Sequence, residues 1–146
     1  MKTILKKITA SNAGFATLAL RIPIGIILIA HGAQKLFGWF GGYGLEGTGQ
    51  WMASIGLAPG VLMAFLAGSA EFFGGLFLVL GLLTRPAALV TAFTMVIAIF
   101  SVPFETGLFL SKHGYEFGLS LLAASVSLIL SGSGKLELTQ YLEKKI

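Results

Sequence analysis

The apolar stretch 61–83 carries a single charge, Glu71, close to its middle. A carboxylate at mid-membrane depth costs a few kcal/mol even on lenient insertion scales. It must meet a partner, line a wet cavity or hold a proton. The chain therefore has to fold its own helices around Glu71. Candidate partners lie in or beside the preceding apolar stretch: Arg21, His31 and Lys35. A polar set inside an apolar bundle is by default a functional-site hypothesis.

Composition supports a bilayer setting. Of 146 residues, 55% are hydrophobic and 11% charged, against roughly 25% charged in a soluble domain. The length suits one domain, with room for four spans of about 20 residues each. With no cysteine, disulfides, thiolate metal sites and dithiol relays are excluded. No aspartate is present and glutamate is sparse, so there is no acidic calcium loop. The net charge of +4 sits at the chain ends and one turn. That is a topological signal and not a nucleic-acid surface.

The expected fold is all-α, a four-helix transmembrane bundle with spans at about 15–37, 61–83, 86–104 and 115–130. Span one holds Arg21, Pro23, His31, Gln34 and Lys35. The long outer loop 38–60 is rich in glycine and carries Trp39, Tyr43 and Trp51, residues that favour the headgroup level. Within it a short helix is expected over 48–55, capped by Thr48 and ended by Gly56. Pro59 suits the first turn of span two, whose small residues include Ala64, Gly68, Gly74, Gly75 and Gly81. Small residues let helix backbones approach closely in lipid. The turn Thr84-Arg85 precedes Pro86, which opens span three, so spans two and three are antiparallel neighbours. Pro103 marks the end of span three, and Glu116 stands at the mouth of span four. The tail 135–146 is expected to form one or two amphipathic turns.

Lys2, Lys6 and Lys7 resemble the basic region of a signal peptide, but the polar Thr9, Ser11 and Asn12 break the apolar run that such a peptide needs. The first helix is read as uncleaved. Lys2, Lys6, Lys7, Arg85, Lys135, Lys144 and Lys145 fall on one side of the bundle. Lys112 and Lys35 fall on the other. The N- and C-termini are accordingly both expected in the cytoplasm, in a multi-pass plasma-membrane protein of the bacterial inner-membrane type.

His31 and Lys35 are four apart and share a helix face. Arg21 falls near the same stripe, close to four turns earlier. It lies about 9–10 Å from the cytoplasmic end, and Glu71 about 18 Å from that side. Arg21 has two readings, snorkelling to headgroups or a buried pair with Glu71. Taken singly, Lys35 reads as an interfacial anchor and His31 as a core hydrogen bond. Glu71 has a bland reading, a structural ion pair or a neutral acid, and a functional one, since a mid-span acid is hard to retain for packing alone. Together with Glu116 at similar depth, these residues form a candidate polar pocket: Arg21, His31, Lys35, Glu71 and Glu116. Glu116 is expected to hold His31 in one tautomer or to compete for Lys35, and Trp39 and Trp51 to roof the site. Glu105, Lys112 and His113 read as solvated loop residues. His31 and His113 lack paired spacing on one helix, so no metal site is assigned.

The chain resembles the DoxX family of small membrane proteins. The resemblance is carried by Leu20-Arg21, His31-Gly32, Gln34-Lys35-Leu36-Phe37-Gly38 and Ile55-Gly56-Leu57-Ala58-Pro59. It continues in Glu71 with Gly74-Gly75-Leu76, in Gly81-Leu82-Leu83-Thr84-Arg85-Pro86-Ala87-Ala88, in His113-Gly114-Tyr115-Glu116 and in Gly132-Ser133-Gly134. Where the family often has Ser-Leu-Asp, this chain has Leu136-Glu137-Leu138. The resemblance implies a four-helix bundle in the plasma membrane. It also implies association with respiratory or redox complexes, including quinone-linked sulfur oxidation and oxidative-stress assemblies. Arg21, His31, Lys35, Glu71, Arg85 and Glu116 are its family-like polar positions. Related proteins that handle disulfides do so through cysteines, which are absent here.

Three functional readings are open. The leading one is an accessory subunit of a membrane redox system, with a pocket for a quinone headgroup. A second is a small dimeric transporter that exchanges protons at Glu71. A third is an assembly or scaffold protein whose ion pair sets helix register. Expected partners are the bilayer, other membrane or redox-complex subunits, and a second copy of the chain. The sequence leaves open whether the chain catalyses a reaction.

Overall fold

The computed structural model describes residues 11, 13–101 and 106–143. The expectations placed on Lys2, Lys6, Lys7, Thr9, Asn12, Pro103, Phe104, Glu105, Lys144 and Lys145 lie outside the described residues. Among the described residues the protein is entirely helical. In chain order the helices are α1 (Ala16–Phe37), α2 (Gly44–Ser54), α3 (Gly60–Leu80), α4 (Thr84–Ser101), α5 (Glu116–Ser131) and α6 (Leu138–Glu143). Helices α1, α3 and α4 are long and apolar enough to cross a membrane, and α5 is a shorter apolar helix.

Helix α1 buries Thr17, Arg21, Gly25, Leu28 and Gly32. These recur at three or four residues, one stripe of a 3.6-residue helix. Helix α3 answers with Gly60, Ala64, Gly68, Glu71, Gly75 and Leu78. The glycines explain why the two can meet. A Cβ built on Gly25 would sit 2.7 Å from the Gly75 carbonyl oxygen, and one on Gly75 would sit 2.6 Å from that of Gly25. Backbone meets backbone along this seam. Helix α1 stops at Gly38, whose φ of 70° is left-handed, as a helix-ending glycine commonly is.

Helix α3 ends three residues earlier than expected. Gly81 takes φ 63° and Leu82 N donates to Phe77 O at 2.8 Å, a capping pattern that closes the last turn. Thr84 rather than Pro86 is then the first residue of α4. The loop helix also differs from expectation. It begins at Gly44, and Thr48 is buried within it instead of capping it. Glycine lowers helix propensity, which hides this start in the sequence. The compensation is contact: a Cβ on Gly49 would lie 2.8 Å from Val61 Cα on α3.

Helices α4 and α5 pack against each other through Met95, Ala88, Leu121 and Leu128, which form the core with Leu28 and Leu78. Thr91 and Ser125 share a hydrogen bond of 3.1 Å across this interface, and both are fully buried. The outward faces carry Phe65, Phe73, Leu89, Phe93 and Phe100 exposed. Such a continuous apolar exterior belongs in lipid; the protein is a membrane protein.

Candidate functional site

Glu71 lies on the glycine-rich inner face of α3, so its carboxylate faces α1. There it meets Lys35, in the last turn of α1. Lys35 Nζ donates to Glu71 Oε2 at 2.6 Å, with the side chains 23% and 5% exposed respectively. Gly68 makes room for the lysine stem: a Cβ at that position would stand 3.2 Å from Lys35 Cβ. A charge-assisted bond of this length satisfies the acid that most constrains the sequence. The partner is Lys35 and not Arg21.

The pair borders a cavity of about 200 Å³, shared with His31, Met95, Phe117 and Tyr115. Four helices and the 106–115 loop contribute its walls. His31 Nδ1 lies 2.9 Å from Ile27 O in its own helix. A carbonyl only accepts, so Nδ1 carries the hydrogen, and in the neutral ring Nε2 is an acceptor. The ring leans on Phe117, with centroids 5.3 Å apart. His31 thus spends this N–H within its own helix.

Glu116 plays a different part from the expected one. Its Oε1 accepts from Leu110 N at 2.6 Å, and it meets neither His31 nor Lys35. Together with Gly114 N donating to Phe109 O, this shapes the loop that brings Leu110 and Tyr115 to the cavity. That loop supplies the roof. Trp39 and Trp51 do not line the cavity and are more than half exposed. Trp39 instead packs on Phe37, centroids 5.0 Å apart. His113 is exposed in the same loop. Among the described residues no three His, Cys, Asp or Glu side chains gather as a metal centre.

Arg21 neither pairs with Glu71 nor snorkels. It is fully buried at the opposite end of the α1–α3 seam. Its Nη1 donates to Leu78 O at 3.1 Å and Val79 O at 3.3 Å. Its Nη2 donates to Lys135 O at 3.3 Å and to Leu136 O. A cation at the carbonyl end of α3 also complements that helix's dipole. Glu137, buried beside it, adds electrostatic attraction. The chain after α5 is thus folded back under the bundle. Thr17 Oγ1 donates to Ser133 O at 2.8 Å. Thr139 Oγ1 donates to Gly81 O at 3.0 Å and accepts from Leu83 N at 3.0 Å. Arg85 Nη2 reaches Leu130 O, at the end of α5, at 3.3 Å.

Sequence reasoning missed Thr17, Ser133, Glu137, Thr139 and Tyr115. A signal for the first four was present: Gly132 and Gly134 flank Ser133 and both take positive φ, which marks a tight, specified return of the chain rather than a loose tail.

The sequence profile of the DoxX family matches residues 16–103. The chain belongs to the DoxX family. The match takes in Arg21, His31, Lys35 and Glu71 and stops before Glu116. Two curated relatives extend the likeness beyond it. "Putative oxidoreductase CatD" of Bacillus subtilis (strain 168) is 35% identical over 128 residues, covering 88% of this chain and 87% of the relative. "Inner membrane protein YqjF" of Escherichia coli (strain K12) is 32% identical over 130 residues, covering 88% of this chain and 92% of the relative. No solved structure matches the chain.

Proposed function

We propose that this DoxX-family chain is one membrane domain that spans the bacterial inner membrane four times, with both termini in the cytoplasm. In this reading it serves as an accessory subunit of a membrane redox system, and the headgroup of a quinone enters the Lys35–Glu71 cavity. The observation that carries the reading is the buried ion pair opening onto an apolar, ring-sized space. Ligand sites are mostly apolar with a few convergent polar groups, and drug-sized ligands need about 300–1,000 Å³. A cavity of about 200 Å³ suits a single ring, with the hydrocarbon tail left in lipid. The oxidoreductase name of one relative and the inner-membrane name of the other support the setting. Proton exchange at Glu71 is less well served, because its carboxylate is already held by Lys35.

The pocket is tested by adding a short-chain quinone to the purified protein. It should raise the melting temperature of the wild type. The double variant Lys35→Met/Glu71→Gln strands no charge and should lose that increase. An equal response, or none in either protein, would remove the pocket and favour a scaffold role. Topology is tested separately: reporters fused after Gly42 and Leu110 should read out on the outer side, and one at Ile146 in the cytoplasm.

A further inference from the structure

The cavity offers an unequal set of hydrogen-bonding groups. Lys35 donates; one of its three N–H bonds goes to Glu71 and two are left for a ligand. Tyr115, whose hydroxyl can donate or accept, also lines the cavity. His31 and Glu71 accept. His31 Nδ1–H is spent on Ile27 O, which makes Nε2 of the neutral ring an acceptor. No group among the described residues bonds to Nε2, yet it is not among the sealed, unpartnered polar atoms. His31 is one of the residues that line the cavity. Glu71 Oε1 is in the same position: Oε2 takes the lysine, and Oε1 is neither bonded nor sealed.

An oxidised quinone carries carbonyl oxygens, which only accept. Such a ring can satisfy Lys35, but it sets a carbonyl lone pair against the lone pair of His31 Nε2. A ring bearing hydroxyls satisfies both sides, because one O–H donates to Nε2 while an oxygen accepts from Lys35.

We infer that the cavity is built for the hydroxylated, reduced form of the ring, with His31 Nε2 as the acceptor that selects it. This rests on the quinone reading above and deepens it. His31 is here a specificity-determining residue. It distinguishes two oxidation states of one ring by what the ring's oxygen atoms can donate.

The experiment compares a short-chain quinol with its quinone, under argon at pH 8, as ligands of the detergent-purified protein. One well-placed hydrogen bond corresponds to roughly tenfold in affinity. The quinol should bind at least about tenfold more tightly than the quinone. His31→Phe keeps an aromatic ring against Phe117 and should abolish that ratio. Equal binding of the two forms, or tighter binding of the quinone, overturns the inference and leaves the pocket standing. Binding of neither overturns both. A second measurement does not depend on the variant folding. The chain has two histidines, so ¹⁵N-histidine spectra with His113→Gln assign His31. Its Nδ1 should be protonated and its Nε2 bare, and the Nε2 resonance should move with quinol. A protonated Nε2 in the free protein would overturn the assignment.

Discussion

Lys35 Nζ stands 2.6 Å from Glu71 Oε2, joining the last turn of α1 to the middle of α3. The pair is asymmetric. Glu71 is buried in the seam at 5% exposure, whereas Lys35 retains 23%. A lone lysine can swing its ammonium outward along a flexible stem. A lone Glu71 has nowhere to go.

Lys35→Ala should therefore destabilise the protein more than Glu71→Gln, by up to the roughly 3–5 kcal/mol that stranding a buried charge costs. Adding Glu71→Gln to Lys35→Ala should recover part of the loss. Arg21→Ala combined with Glu71→Gln should instead be additive within about 0.5 kcal/mol. Arg21 binds carbonyls of Leu78 and Val79, about 10 Å further along α3 by helical rise. Thermal unfolding in detergent checks both cycles. Recovery in the second cycle, or none in the first, would contradict the pairing of Lys35 with Glu71.

Arg21 makes a distinct prediction. Its planar fork serves four carbonyls on two segments, which a lysine cannot reproduce. Arg21→Lys should lose most of the stability that Arg21→Ala loses. Thr139→Val removes one donor and one acceptor and should cost about 1–3 kcal/mol. Protease susceptibility after Ser131 is the readout. Both variants should release the segment 132–143 to cleavage while the α1–α3 seam stays protected.

The seam predicts an unequal response to two small substitutions. Gly75→Ala places a methyl against the Gly25 carbonyl oxygen and against Ile29 N at 2.8 Å, so two backbones must part. Overpacking of this kind costs about 1–3 kcal/mol. Gly118→Ala meets the Ile99 side chain at 3.1 Å, which can turn aside, and should cost less. Melting temperatures of the two variants decide the ordering.

The helices are legible in the sequence because apolar runs, glycines and prolines act locally. Spans 15–37 and 115–130 differ from α1 and α5 by no more than a residue at each end. Glu71 is legible for a thermodynamic reason, since a mid-span acid demands a partner whatever the sequence around it. Which base answers it is not legible. Arg21, His31 and Lys35 share a stripe on α1, and only the offset between α1 and α3 selects Lys35. That offset is set by interlocking glycines, whose spacing marks a face on each helix but not how far one helix is displaced along the other. Tautomer choice at His31 depends on which ring nitrogen turns back to Ile27, a rotamer matter. Glu116 is misplaced by sequence reasoning because similar depth does not imply proximity. It lies near the level of the pocket but spends its carboxylate on the loop in front of it.

The return of the chain beneath α1 also imposes an order in time. Arg21 enters the membrane with the first helix, yet Lys135, whose carbonyl it binds, is synthesised 114 residues later. Through that interval the guanidinium has only the end of α3, headgroups or the insertion machinery to satisfy it. A nascent chain halted before Lys135 carries this charge half-answered, whereas a finished one hides it completely. Release of the last segment thus converts a chemically marked intermediate into an unmarked membrane protein, and a surveillance protease that senses charge within a membrane helix could tell the two apart.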